Sequence, residues 1–302
     1  MSYRGVALTF VSACRSVIDH RSELEPMPSG VESKLAPMPD IRAVVFDVYG
    51  TLVVSGSGDV GSADTSDRGE HILSALTAVS LQDRLSSIPS AELLQSTIAE
   101  SNRERVSEDC PKPEVDIVEV WRRVLQRNGL PTNAKMVSEV VGLASNYEAR
   151  ANPTWPMPGA KMLLSKLKSE GIPMGIVSNA QIFTIGLVED LVTGENLEMG
   201  GFDLDLCIFS NRFRQAKPGP RLFEVLCKGL KRQGILPQEA VYVGNDMLND
   251  VWAASQAGLK TAWFAGDARS CRPRESDPRC QGLVPDVVLT NLLELLECMQ
   301  MK

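Results

Sequence analysis

The sequence predicts an α/β fold, a doubly wound parallel sheet carrying an inserted helical cap, and three observations predict it. Ala43-Val44-Val45-Phe46-Asp47 is a short apolar run ending in a carboxylate and reads as a buried strand. From about residue 67 to residue 151 apolar residues recur at helical spacing, with no strand pattern among them. From Pro158 onwards short apolar strands alternate with helical stretches, the signature of βαβ units and a parallel sheet.

Taken in chain order, residues 1–39 read as a flexible N-terminal extension, with prolines at 26, 28, 37 and 39 marking linker. Inside it, Val11-Ser12-Ala13-Cys14 is similar to a bacterial lipoprotein cleavage box, but the apolar run before it is short and Arg15 follows at once. A cytoplasmic location is expected, with the lipoprotein-like signal as the lesser alternative. After Leu52, the Gly/Ser-rich stretch from Val54 to Ser62 lacks Walker spacing and reads as a mobile hinge.

The helical stretch shows its apolar stripes at Ile72/Leu73/Leu76/Val79, at Leu93/Leu94/Ile98, at Ile117/Val120/Trp121/Leu125 and at Val137/Val140/Val141. Asp67 and Ser90 are N-cap candidates, and Pro113-Glu114 is placed to open the third helix. Trp121-Arg122-Arg123 reads as a buried Trp with two solvated arginines. Thereafter strands are expected at Pro173–Ser178, Leu204–Phe209, Ala240–Gly244, Lys260–Phe264 and Asp286–Leu289, with helices between them. The expected division is a core of residues 40–54 and 155–302 and a cap of residues 55–154.

Composition narrows the function. The chain has 302 residues, 43% apolar and 23% charged, as in ordinary globular proteins. A net charge of −7 without any basic run makes nucleic acid an unexpected partner. No segment approaches the roughly 18 apolar residues of a membrane span. Seven scattered cysteines without a CxxC suit a reducing compartment, and Cys271 and Cys280 read as two loop thiols. With only His20 and His71 present, a histidine-based metal site or a Ser-His-Asp triad is not expected.

The chemistry is carried by residues at strand ends, where doubly wound sheets bind ligands. Asp47 emerges from its strand into a turn, Val48-Tyr49-Gly50-Thr51-Leu52, whose Gly50-Thr51 pair is expected to offer free backbone N–H groups. Met174-Gly175-Ile176-Val177-Ser178-Asn179, Ala216-Lys217-Pro218-Gly219-Pro220 and Val243-Gly244-Asn245-Asp246-Met247-Leu248-Asn249-Asp250 follow in that order.

Together these four segments resemble motifs I to IV of the haloacid dehalogenase superfamily, over residues of about 41 to 265. The resemblance implies a Rossmann-like core and a hydrolase. It implies catalytic roles for Asp47 as nucleophile and for Tyr49, Ser178, Lys217 and Asp250. Substrate phosphoryl oxygens would be held by Gly50, Thr51, Ser178, Asn179 and Lys217. Mg²⁺ would be held by Asp47, the backbone carbonyl of Tyr49 and Asp246, with Asn245 competing for the last place. Asp47, Asp246 and Asp250 against Lys217 leave two uncompensated negative charges, which a divalent cation with oxygen ligands would cancel.

Tyr49 departs from the phosphatases of that superfamily, which carry a second aspartate there to protonate the leaving alkoxide and then activate water. A phenol with a reference pKa near 10 is a poor base at pH 7, and losing such help costs about 10²–10⁴ in rate. Tyrosine at this place resembles the L-2-haloacid dehalogenases, whose halide leaving group needs no proton and whose reaction needs no metal. Those enzymes also place an arginine about thirty residues on. Here Arg68 and Arg84 fall at other spacings, Phe223 replaces a tyrosine, and Asp246 adds a carboxylate.

The expected activity is Mg²⁺-dependent hydrolysis of a small phosphomonoester through an aspartyl-phosphate. The alternative is carbon–halogen hydrolysis through an ester, and the weaker one a low-activity binding or regulatory protein. The partner is a small-molecule substrate, and the oligomeric state is left open. The Arg-rich segment from Arg269 to Arg279 reads as a surface loop.

Overall fold

The computed structural model of the chain describes residues 23–56 and 68–301. The expectations for residues 1–22, for the Gly/Ser stretch beyond Gly56 and for an N-cap at Asp67 lie outside the described residues.

Six parallel strands form the main sheet, in the order β5-β4-β1-β6-β7-β8. They are β1 (Ala43–Phe46), β4 (Met174–Ser178), β5 (Phe202–Phe209), β6 (Ala240–Gly244), β7 (Lys260–Phe264) and β8 (Val287–Leu289). β1 lies at the centre, paired with β4 through Val44↔Met174 and with β6 through Val44↔Val241. All four residues of β1 are fully buried, which accounts for its unbroken apolar run.

Both faces are covered. Val44 and Phe46 pack on one side with Leu163, Phe183, Val241 and Leu289, in a cluster that includes α5 (Ala160–Ser169). Val45 and Tyr242 pack on the other with Phe223, Leu226 and Leu230 of α8 (Arg221–Arg232). This alternation of facing side chains along the strands is what sandwiches the sheet between helices.

Two short strands were not legible in the sequence. β2 (Val53–Ser55) and β3 (Thr154–Pro156) pair antiparallel where the chain leaves the core and where it returns. Val53–Ser55 is therefore ladder rather than the start of a flexible hinge. Between them α1 (Arg68–Ala78), α2 (Ala91–Arg103), α3 (Ile117–Arg127) and α4 (Val137–Ala151) surround an apolar core of their own, with Ile72, Leu76, Trp121, Val124 and Leu143. Trp121 is fully buried and meets Tyr147 edge-on, while Arg123 pairs with Glu104 and Glu119.

Ser90 caps α2, accepting from Leu93 N at 3.2 Å. Helix α3 starts at Ile117, four residues after Pro113, because Asp116 is its cap, accepting from Val118 N at 3.0 Å. Pro113 instead bridges to Gln215, and Glu114 N donates to Arg214 O at 3.0 Å. The helical segment is thus laced to the loop just before Lys217. At the β2/β3 junction Ser55 Oγ donates to Asn152 Oδ1 at 2.8 Å, and Asn152 Nδ2 donates to Glu148 at 3.1 Å. Burial pushes the Glu148 carboxyl up to about 7.

The linker reading of residues 23–39 is corrected. Lys34 pairs antiparallel with Val288, Met38 N donates to Cys298 O, and Met27 N donates to buried Asp267 at 3.0 Å. This segment covers the edge strand β8, a usual way of blunting an exposed sheet edge.

Among the described residues no helix is long and apolar enough to cross a membrane. Cys271 and Cys280 are free thiols. After β5 come α7 (Ser210–Phe213), then α8. A helical turn at Met247–Trp252 leads into α9 (Ala253–Gln256), and α6 (Thr184–Val188) and α10 (Glu294–Cys298) complete the set.

Candidate active site

β1 continues its ladder one residue past the strand, Asp47 N donating to Val243 O at 2.9 Å. That bond aims the Asp47 side chain off the carboxyl edge of the sheet. Lys217 Nζ lies 2.9 Å from Asp47 and 2.5 Å from Asp250. The same ammonium donates to Tyr242 OH at 2.9 Å and to Val177 O at 3.2 Å. Burial alone would lower the Lys217 pKa, but Asp250 and Asp47 hold it well above its ordinary value and keep it charged. Burial raises Asp250, with Asp47 and Asp246 adding to the rise and Lys217 opposing it.

Asn179 holds the backbone of Lys217 in place. Its Oδ1 accepts from Lys217 N at 2.7 Å and its Nδ2 donates to Lys217 O at 3.4 Å. Asp250 is held by Asp246 N, 2.9 Å from its Oδ2. Gly244 makes that packing possible, since a Cβ there would clash with the Asp250 carboxylate. Tyr242, whose phenol burial keeps far above its ordinary pKa, donates to Val177 O at 2.6 Å. Asp47, Tyr49, Asn179, Lys217, Asn245 and Asp250 line one narrow cleft with Asp246, Asn249 and Arg272.

Three expected roles change. The Gly50 and Thr51 amides are not free: Gly50 N donates to Val53 O at 2.8 Å and Thr51 N to Val48 O at 3.2 Å. They close the turn upon itself, with Gly50 at φ +76°, and both residues are buried outside the cleft lining. Ser178 is fully buried, its Oγ donating to Asn179 O at 3.4 Å, so that Asn179 rather than Ser178 reaches the cleft. Tyr49 lines the cleft, but its hydroxyl pairs with Thr184 Oγ1 at 3.0 Å.

The fourth change concerns Asp246. It is the N-cap of the turn that follows β6, its Oδ1 accepting from Leu248 N at 2.9 Å and Asn249 N at 3.0 Å. Its Oδ2 accepts from Asn249 Nδ2 at 2.9 Å, and Arg274 clasps both oxygens, with Nη2 at 2.5 Å. The Arg-rich segment is therefore no outlying surface loop. Met247 N donates to Arg272 O at 2.9 Å and Arg272 N to Asn245 O at 3.0 Å, tying the β7–β8 connection to the strand end. Three carboxylates (Asp47, Asp246, Asp250) now face three cations (Lys217, Arg272, Arg274), and the site is formally neutral.

As a metal site, the cleft offers hard oxygen donors. Among the described residues no three His, Cys, Asp or Glu converge to hold an ion. Asp47 is partly open to the cleft, and Asn245 is oriented by Thr51 Oγ1, 3.3 Å from its Oδ1, and by Ser270 O, 2.5 Å from its Nδ2. This donor set fits Mg²⁺, which keeps several waters and asks for only one or two carboxylates.

Sequence reasoning passed over Tyr242, Asn249, Arg272 and Arg274. The arginines carried one readable signal: a charged stretch directly after a core strand falls on the ligand-binding edge of a doubly wound sheet.

Comparison with known proteins gives the chain its family. The sequence profile of the haloacid dehalogenase-like hydrolases matches residues 41–258. Glyceraldehyde 3-phosphate phosphatase of Pyrococcus furiosus is 29% identical over 177 residues, 59% of this chain and 67% of that protein. The protein of the same name from Methanopyrus kandleri is 26% identical over 85% of this chain and 96% of its own length. Phosphoglycolate phosphatase of Escherichia coli O157:H7 is 28% identical over 72% of this chain and 79% of its own. The crystal structure of 2-haloacid dehalogenase from Pseudomonas syringae pv. Tomato DC3000 superposes with a TM-score of 0.54 at 20% identity, covering 86% of this chain and 98% of that one. That likeness speaks for the fold. With the profile spanning most of its length, this chain belongs to the haloacid dehalogenase-like hydrolases.

Proposed function

We propose that the chain is a Mg²⁺-dependent phosphatase of small phosphomonoesters. The observation that carries the reading is the buried Asp47–Lys217–Asp250 array opening on a cleft of oxygen and amide donors. Relatives named as phosphatases support it. In this reading Asp47 attacks phosphorus and forms the aspartyl-phosphate. Lys217, held charged by its two carboxylates, faces the charge that develops on the transferred group. Asn179 fixes Lys217 and presents its own amide to the cleft.

Mg²⁺ would be held by Asp47, the Tyr49 carbonyl and Asn245 Oδ1, and when bound it would neutralise phosphoryl oxygens as a Lewis acid. Asn245 is preferred to Asp246 because the Asp246 oxygens are already taken by the helix amides and Arg274. A formally neutral site also suits joint entry of a dication with a dianionic phosphate, which leaves the balance unchanged. The helical segment, residues 55–154, is assigned as the cap over the core of residues 40–54 and 155–302.

Position 49 sets the pace. A phenol paired with Thr184 is a weak base, so water attack on the aspartyl-phosphate is slow and good leaving groups are favoured. The dehalogenase reading keeps the tyrosine but lacks its halide-binding arginine: Arg68 is buried on α1, Arg84 pairs with Glu139 at 3.7 Å, and neither lines the cleft.

The test is phosphate release from p-nitrophenyl phosphate with and without Mg²⁺, run beside halide release from L-2-chloropropionate. Mg²⁺-dependent phosphate release is expected. Halide release without metal, and no phosphate, would replace the phosphatase reading with the dehalogenase one.

A further inference from the structure

Tyr242 sits behind the cleft wall rather than on it. It is 1% exposed and does not line the cleft, so anything it does to a bound ligand goes through another side chain. On β6 it packs on the same side of the sheet as Val45 and Val177. The strand order β4-β1-β6 puts Val177 two strands away, about 9–10 Å at ordinary strand spacing. The phenol reaches across β1 to that strand, and its hydroxyl donates to Val177 O at 2.6 Å. Its ring meets Phe223 edge-on at 5.1 Å and lies 5.5 Å from the Lys217 ammonium.

Counting protons defines what the hydroxyl does there. A lysine ammonium has three N–H donors. Among the described residues four acceptors surround Lys217 Nζ: Asp250 at 2.5 Å, Asp47 and the Tyr242 hydroxyl each at 2.9 Å, and Val177 O at 3.2 Å. The phenol has one proton to give, and Val177 O at 2.6 Å takes it ahead of Asp250 Oδ1 at 3.2 Å. With that carbonyl satisfied, one N–H of Lys217 goes to the phenol oxygen and the other two stay on Asp250 and Asp47. Burial, with Asp250 and Asp47 close by, keeps the phenol far above its ordinary pKa, so it remains a donor at working pH.

We infer that Tyr242 is a positioning residue for the reaction: its hydroxyl takes the Val177 carbonyl out of competition for the Lys217 ammonium and keeps one N–H of that ammonium directed at Asp47 and the phosphoryl group Asp47 receives. The inference rests on the phosphatase reading and adds to it the residue that orients its central cation.

Tyr242→Phe removes the hydroxyl and keeps the ring, with its contacts to Phe223 and Lys217. The Val177 carbonyl then draws the third N–H, and the ammonium turns away from Asp47. With Mg²⁺ present, kcat for phosphate release from p-nitrophenyl phosphate should fall about 10–100-fold, as a misplaced catalytic group does. KM should stay within about 3-fold, because the lost interaction is made in the transition state. Orthovanadate, which takes the five-coordinate geometry of phosphoryl transfer, should inhibit the variant about 10–100-fold more weakly. Inhibition by inorganic phosphate should change by less than about 3-fold, again because the ground state is spared. A tyrosine that is merely structural would lower Tm and weaken phosphate and vanadate alike, and that result would overturn the inference. So would an unchanged kcat or an unchanged vanadate affinity in the folded variant beside an active wild type. A wild type that releases no phosphate removes the phosphatase reading itself, and this inference with it.

Discussion

The turn after β1 and the connection after β7 meet at the same edge of the sheet but are built differently. The β1 turn is closed by its own backbone, with Gly50 and Thr51 donating to Val53 and Val48, and it carries its chemistry on Asp47 at its first position. The β7–β8 connection is long and irregular, and is held by contacts with residues distant in sequence: Met27, Asn245, Asp246 and Met247. Their ion pairs differ as well. Lys217 and Asp250, 2% and 1% exposed, form a buried pair beside Asp47, whereas the Arg274 side chain is 36% exposed while holding Asp246. The contrast shows two ways of fixing a charged group at a strand end: enclosure by the core, or clamping from outside by a strap.

Breaking the β1 side should have the largest effect. Asp47→Asn should lower phosphate release from p-nitrophenyl phosphate by about 10⁴–10⁶-fold, as loss of a nucleophile does. Activity close to wild type would remove Asp47 from that role.

Lys217→Met leaves Asp250 and Asp47 without their shared cation, and breaking a buried pair in this way should cost about 3–5 kcal/mol of stability. Denaturant titration would measure it, and a loss under about 1 kcal/mol would mean that the array is not the tightly held element described here.

Tyr49→Asp places a carboxylate two residues after Asp47 and, on the phosphatase reading, should speed turnover about 10-fold or more on alkyl phosphates, whose leaving groups need a proton. Steady-state kinetics with a folded variant and no gain would show that position 49 does not limit the reaction.

The smallest effect should come from the strap. Arg274→Gly tolerates φ +54° and leaves Asp246 with its helix-capping bonds, so about 1 kcal/mol of stability should be lost, less than for Lys217 because water already screens the guanidinium. Hydrogen exchange should instead quicken between 268 and 276, and unchanged protection there would show that the clamp does not hold the strap.

How much was legible follows from the kind of signal each element leaves. The buried strands were readable because a strand enclosed on both faces reads as a nearly unbroken apolar run; Ala43–Phe46 and Ala240–Gly244 were located in this way. The four helices between β2 and β3 were readable from apolar stripes that turned out to pack on one another around Trp121. The three-residue strands β2 and β3 are too short to carry a period, and their pairing across the whole helical segment is non-local.

The sequence by itself determined the family, the parallel sheet, and Asp47 at the end of its strand, because local pattern and chain order suffice for these; Lys217 lies in the loop after Ser210–Phe213 and Asp250 within the helical turn Met247–Trp252, beyond the strand ends where they were expected. Only the tertiary structure decided which polar groups are left for a ligand. It withdrew the Gly50 and Thr51 amides into their own turn, buried Ser178, engaged Asp246 with Arg274, and brought Arg272 to the cleft. Each of these outcomes depends on where a hydrogen-bonding partner lies in space, and for the Arg274–Asp246 clasp that partner is 28 residues away along the chain. Residue type states what a group can bond to, and the fold decides which bonds it has already made.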